Sequence, residues 1–244
     1  MIDKKGFSQH ISRQFNEELN QILNRVMSMG GLVERQLGDA LKALAEGDKE
    51  LAERVIRGDD EVNAIEVSLD DECTHILARR QPAASDLRLV LSVTKAIIDL
   101  ERIGDEAERI GRMGLNLTEE QRQLGIMSDV VAMGQRVKHI LHGALDAFTR
   151  MDAAQAARVA EEDVEIDKQY DQIMQRLIAA MEENRAAVRQ TLNIVWAVRS
   201  LERIGDRSHN ICEQVIYFVK GKDVRHTSFA EMAEEAGINP AGDA

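Results

Sequence analysis

The chain has only two prolines, Pro82 and Pro240, two cysteines, Cys73 and Cys212, and 3% aromatic residues in 244 positions. Both prolines lie outside the periodic stretches, so nothing interrupts long helices. Two cysteines at unrelated positions make no disulfide framework and read as reduced thiols of a cytoplasmic protein. With so few aromatics, any core has to be built from Leu, Ile, Val, Ala and Met. No apolar run approaches the length needed to span a bilayer. Met1-Ile2-Asp3-Lys4-Lys5 leads into a polar segment, so no secretory signal is expected. No segment shows the strict alternation or β-branched clustering of strands. Basic surface is lacking too: Lys and Arg number 31 against 43 Asp and Glu, a net charge of −12. That balance disfavours nucleic acid and disfavours anionic membrane by charge alone. A phosphate-cradling Gly-rich loop, a nucleophile elbow, CxxC and HExxH are all missing, so no catalytic residue is assigned.

What the chain does have is an internal repeat. Leu100-Glu101-Arg102-Ile103-Gly104-Asp105 returns unchanged as Leu201-Glu202-Arg203-Ile204-Gly205-Asp206. At that shift of 101 residues, Leu91, Val93, Ala96 and Ile97 fall on Leu192, Ile194, Ala197 and Val198. Earlier in the chain a shift of 104 aligns Arg54-Val55, Asp59, Glu61 and Val62 with Arg158-Val159, Asp163, Glu165 and Ile166. The change of shift belongs in the loop that Pro82 marks. Each repeat is about a hundred residues, a usual domain size.

The composition favours helix throughout, and the pattern predicts six long helices. The first runs from Ser8 to Ala45. Gly47-Asp48 ends it and caps a second to Arg80, and Ser85 caps a third to Leu115. Thr118 with Gln121 makes a capping box for a fourth to Arg150, and Asp152 with Gln155 another for a fifth to Glu183. The sixth runs from Arg185 to Lys220. Short connections force neighbours to pack antiparallel. The expected fold is therefore all-α, two tandem three-helix bundles, each with a modest core: residues 1–116, then 117–221, then a tail 222–244 with one short helix around Phe229 to Ala236. Gly30-Gly31 inside the first helix marks a kink or a close contact.

On a helical wheel of the third helix, Val90, Leu91, Thr94, Ile97 and Ile98 form an apolar arc. Arg88, Lys95, Asp99, Arg102 and Glu106 form the opposite, polar one. Glu101, Asp105 and Glu108 stack i, i+4, i+7 within the apolar arc, and Glu202, Asp206 and His209 repeat the placement in the sixth helix. An exposed face laced with salt bridges is the ordinary reading of charged helices. It fits poorly here, because like charges at i, i+4 destabilise a helix and desolvation beside an apolar face adds to the cost. An offsetting cation is the simplest account, either an Arg from a neighbouring helix or a bound metal. Asp59 in the second helix and Asp163 with Asp167 in the fifth lie where adjacent helices meet, so carboxylates can converge from two helices in each bundle. Oxygen-rich clusters suit Mg, Ca or Mn, and His209 beside Asp206 admits Fe or Zn. Asp206-x-x-His209 also echoes the Glu-x-x-His of di-iron bundles. A di-metal carboxylate enzyme is therefore the rival reading, weakened by the single candidate His. Gly104 and Gly205, unfavourable in mid-helix, point to close approach of a neighbouring helix.

The doubled LERIGD, Gln81-Pro82-Ala83-Ala84-Ser85-Asp86-Leu87-Arg88, Met27-Ser28-Met29-Gly30-Gly31 and Tyr217-Phe218-Val219-Lys220-Gly221 resemble the PhoU family of phosphate-signalling regulators, from about His10 to His226. The resemblance implies two three-helix bundles with internal pseudo-twofold symmetry. It also implies multinuclear Fe or Zn clusters, or Mn or Mg, on Glu101/Asp105 and Glu202/Asp206, with Asp59 and Asp163 as partners. The implied role is negative regulation of the phosphate-starvation response. Such a protein links the phosphate ABC transporter, through its ATPase subunit, to a sensor histidine kinase and restrains phosphate uptake. It works by contact and without enzymatic activity, as a homodimer, and meets the membrane only through protein partners.

Overall fold

The computed structural model describes residues 13–122, 124–183 and 188–238. Six long helices and two short ones follow in order: α1 Arg13–Glu46, α2 Lys49–Arg80, α3 Ala84–Asn116, α4 Glu119–Arg122, α5 Met127–Arg150, α6 Ala153–Glu183, α7 Val188–Lys220 and α8 Phe229–Ala236. The described residues contain no strand. The predicted start of the first helix at Ser8 and the residues 184–187 before α7 lie outside the described residues.

The local signals act mostly where the sequence put them. Asp48 caps α2 by accepting the Leu51 N–H at 2.9 Å, and Asp152 accepts the Gln155 N–H at 2.9 Å at the start of α6. Two expectations need correction. Ser85 does not cap α3: its N-cap is Ala83, extended and without a side-chain bond, so the helix starts two residues earlier. The Thr118/Gln121 box forms, with Gln121 Oε1 accepting the Thr118 N–H at 2.6 Å and Thr118 Oγ1 accepting the Gln121 N–H at 3.3 Å. It caps only the single turn α4. A turn closed by the Met127 N–H on the Leu124 carbonyl at 2.9 Å follows, containing Gly125, and α5 begins anew at Met127. Glycine there removes the helical bias that would have carried one helix through.

In the first repeat α2 packs on α1 and α3; in the second α6 packs on α5 and α7. The bundles join where α1 meets α5 and where α3 meets α7, the latter the most extensive helix contact of the fold. The contacts there are reciprocal. A Cβ on Gly30 would come within 2.5 Å of Leu145 Cδ2, and one on Gly134 within 2.3 Å of Leu41 Cδ2. Positions 30 and 134, like 41 and 145, are repeat equivalents. The Gly30-Gly31 signal thus marks a close helix crossing. The two expected cores are one continuous apolar cluster drawing on all six long helices. Val224, Met232 and Ala236 join it, which seats α8 against α6 and α7.

Candidate metal centres

Both carboxylate sites lie between a repeat's second and third long helices, and a glycine makes room for each. In the first, a Cβ on Gly104 would stand 3.2 Å from Asp59 Oδ1; in the second, one on Gly205 would stand 2.6 Å from Asp163 Oδ1. The doubled glycine is therefore a notch on the third helix into which the facing helix presses a carboxylate. That gives the expected close approach its physical reason.

At the first site Asp59 is buried. Its Oδ2 accepts the Asn63 amide at 3.0 Å, while Oδ1 has no hydrogen-bond partner among the described residues. Burial raises the Asp59 pKa, against the Asn63 hydrogen bond and the nearby Gln36 side chain, with Asp105 and Glu108 adding repulsion. Glu101, half-buried on α3, is raised by burial first and by Asp105 second. Arg102 lies 3.4 Å from Glu101 and 3.2 Å from Asp105. Glu108 is turned to Arg112, whose Nε donates to it at 2.9 Å.

The second site is tighter. Asp167, Glu202 and Asp206 each offer an oxygen, all within 4.8 Å of one another, the only such group among the described residues. Asp167 and Asp206 form an exposed rim, with Glu202 recessed between them and Asp163 behind. Burial, then Asp206, Asp167 and Glu202, push the Asp163 carboxyl up to about 7. Glu202 and Asp206 are raised too, by burial first and by a neighbouring carboxylate second. One oxygen of Glu202 is paired with Arg199; the other, Oε2, is buried and has no partner among the described residues. His209 sits 3.8 Å from Asp163 Oδ2 and 3.7 Å from Glu213, and burial lowers its pKa, which favours the neutral, ligand-competent imidazole. An open pocket of about 410 Å³ is lined by Asp163, Asp206, Arg207, His209 and Asn210.

The structure thus gathers Asp163, Asp167, Glu202 and Asp206, with His209 at their edge. It brings Asp59, Glu101 and Asp105 to one groove and turns Glu108 to its own arginine. The sequence left the offsetting cation to an Arg of a neighbouring helix or to a metal; the arginines that approach, Arg102 and Arg199, instead come from the same helices as the acids they face. Cation binding still fits. Asp59 Oδ1 and Glu202 Oε2 are buried acceptors with no donor among the described residues, which is costly unless something positive arrives. The donor set is almost all oxygen, which suits a hard divalent ion, with His209 widening the range in the second site.

The wheel misplaced part of α3. Leu91 and Ile98, assigned to the apolar arc, are exposed, whereas Asp99 and Glu106, assigned to the polar arc, are buried. The reason is α7, which covers the supposed solvent face. Glu106 accepts the Ser200 hydroxyl at 2.7 Å and pairs with Arg203 at 2.7 Å. Asp99 accepts from Arg207 at 3.3 Å and from Asn210 at 3.2 Å. These four residues of α7 were missed. The signal was there: Asp99 is the repeat equivalent of Ser200, and Glu106 of Arg207, so a twofold crossing pairs each with the other's counterpart.

The geometry defines a duplicated all-α bundle with a carboxylate cluster in each half. A family model described as PhoU domain matches residues 26–113 and again 130–215, and the chain belongs to the PhoU family. It is 47% identical over 239 residues to the phosphate-specific transport system accessory protein PhoU homolog of Pseudomonas aeruginosa, covering 98% of this chain and 99% of that one. To the accessory protein PhoU of Escherichia coli (strain K12) it is 45% identical over 231 residues, 95% of each chain. The crystal structure of PhoU from Pseudomonas aeruginosa superposes with a TM-score of 0.83, over 86% of this chain and 100% of that one. The phosphate transport system regulatory protein PhoU of Streptococcus pneumoniae, 32% identical, gives 0.81 over 86% of this chain and 99% of that one. These names describe accessory and regulatory proteins of phosphate transport. No helix among the described residues is long and apolar enough to cross a membrane.

Proposed function

We propose that this protein is the accessory regulator of its cell's phosphate transport system. It lowers the phosphate-starvation response when phosphate is plentiful, by bridging the phosphate ABC transporter's ATPase subunit and a sensor histidine kinase, and it restrains uptake. The observation that carries the reading is relatedness along nearly the whole chain to proteins so named. The absence of any helix able to span a bilayer among the described residues agrees with action in the cytoplasm through membrane-bound partners. The long acidic helices suit helix-in-groove contacts, and a homodimer is the expected assembly.

The carboxylate clusters are the part of the molecule able to sense an ion. Asp59 and Asp163 come from α2 and α6, while Glu101/Asp105 and Glu202/Asp206 come from α3 and α7. Like charges on two facing helices push them apart, and a bound divalent ion would supply the positive charge that lets them close. Site residues therefore set the spacing of α2 on α3 and of α6 on α7, and with it the surface shown to partners. Deleting the gene should derepress a phosphate-starvation reporter in phosphate-replete cells, with the wild-type chain restoring repression. A reporter that stays repressed in the deletion strain removes the regulatory role. Asp105→Asn with Asp206→Asn should lower bound metal and weaken co-purification of kinase and transporter ATPase together. Metal lost with partner capture intact breaks the coupling and spares the regulatory role.

A further inference from the structure

A cluster of acids has to remain folded before its cation arrives, and the two repeats arrange this differently. At the first site Arg102 approaches Glu101 and Asp105 from the solvent side and is 53% exposed. Pairs of that kind contribute little and let go easily. At the second site the equivalent Arg203 is withdrawn, held 2.7 Å from Glu106 across the repeat junction. Its place is taken from one turn back. Arg199, where the first repeat has Ile98, bonds Glu202 Oε1, and Glu202 is only 12% exposed. Its guanidinium carbon lies 5.8 Å from the centre of the Tyr170 ring, and Tyr170 replaces Glu66. Asp167 replaces Asn63. The three replacements form a set: Asp167 adds a carboxylate where Tyr170 removes one, Arg199 adds a cation, and the Tyr170 ring gives that cation an aromatic face on which to rest.

We propose that Arg199 is a tethered counter-ion that closes the second site: it holds Glu202 while the site is empty of metal and has to withdraw along the Tyr170 ring before a divalent cation loads, so the first site fills before the second. This rests on the clusters binding cations at all. Arginine cannot be neutralised at physiological pH, so it leaves only by moving. A guanidinium and a metal ion sharing one carboxylate would repel at close range in a half-buried pocket. In the first site Ile98 offers no such competitor, and Arg102 can swing into water.

Titrating Mn²⁺ into the full-length protein, with free Mn²⁺ read by electron paramagnetic resonance, tests this. Wild type should bind in two steps. In the Glu101→Gln/Asp105→Asn background, where only the second site is left, Arg199→Ile should tighten Mn²⁺ binding about tenfold, the scale on which neighbours of metal ligands act. Arg199→Lys keeps the charge and should leave the site weak. In the Glu202→Gln/Asp206→Asn background Arg199→Ile should change nothing. Circular dichroism melts establish that each variant folds; Ile is native at the equivalent helix position, so folding is expected. A second site whose affinity is unmoved or weakened by Arg199→Ile overturns the counter-ion while leaving the cation sites standing. Mn²⁺ held by neither wild type nor Arg199→Ile overturns both.

Discussion

At the first site Asp59 rests one oxygen on the Asn63 amide at 3.0 Å; at the second, Asp163 faces Asp167, Glu202 and Asp206, and Asp167 stands where that amide would be. Both keep the same glycine notch, the same Glu and Asp one turn apart, and the same Asp pressed in from the facing helix. What varied after duplication is how the charge is balanced. The first site spreads it over an amide and two solvent-side arginines, Arg102 and Arg112. The second concentrates it, with one arginine on Glu202 and a neutral histidine in place of Glu108. The features that place the acids are dictated by backbone geometry and are held in common. The features that neutralise them are side-chain choices, free to drift or to specialise.

The concentrated charge should show most plainly in metal-free stability. Asp163 has a folded pKa of about 7 against 3.8 for the free side chain. A group raised in this way contributes stability below its unfolded pKa, and that contribution is lost as pH climbs from about 4 to about 7. Above pH 7 the charged carboxylate is wholly a burden. The full shift corresponds to about 4 kcal/mol. The open side of the pocket screens part of it, so we expect Asp163→Asn to stabilise the metal-free protein by about 2 kcal/mol at pH 8. At pH 4 it should stabilise little. Asp59→Asn should gain less at any pH, since Asn63 already offsets its burial. Urea melts of both variants at the two pH values, in chelator, read the difference directly. Equal gains would erase the contrast between the sites.

The notch supplies the next contrast. Alanine in mid-helix is intrinsically better than glycine by about 1 kcal/mol. At Gly104 the new methyl would meet Asp59 Oδ1 and Val62 Cγ1 at 3.2 Å, so shifts of a few tenths of an ångström accommodate it, and Gly104→Ala should be close to neutral. At Gly205 the methyl would meet Asp163 Oδ1 at 2.6 Å, and the carboxylate has to move. Overpacking of this kind costs about 1–3 kcal/mol, so Gly205→Ala should be net destabilising by about 1 kcal/mol and should also weaken cation binding at the second site. Thermal melts in chelator and Mn²⁺ titrations check the two halves separately.

Much of this was legible in the sequence because it is local or repeated. The exact hexapeptide located both acid pairs, the paired shifts located Asp59 and Asp163, and Asp48 and Thr118 announced their caps. What failed depends on partners far along the chain. Nothing within α3 says that Asp99 and Glu106 will be buried, since the donors that make this tolerable, Ser200, Arg203, Arg207 and Asn210, arrive a hundred residues later. Leu91 and Ile98 were put inward by a wheel that assumes one covered side, yet α3 is covered on one side by its own bundle and on another by α7. The break before α5 is of a different kind: the Thr118 cap forms as its sequence signals, but one turn of helix satisfies it before Gly125 intervenes.

The smallest effect separates placed charge from incidental charge. Glu108 and Arg112 sit i, i+4 on α3, with Arg112 56% exposed. Although Glu108 belongs to the i, i+4, i+7 stack that singled out the site, its carboxylate is committed to this arginine rather than to Asp59 or Glu101. Pairs in this setting are worth at most about 0.5 kcal/mol, so Arg112→Ala should barely move the melting midpoint. The release of Glu108 should instead be felt at the site. With its arginine gone, the carboxylate becomes a free oxygen donor beside Asp105, and Mn²⁺ affinity at the first site should rise slightly while the second site stays as it was. An unchanged first site would show that Glu108 stands too far along the helix to serve as a ligand, leaving Asp59, Glu101 and Asp105 as the whole of that cluster.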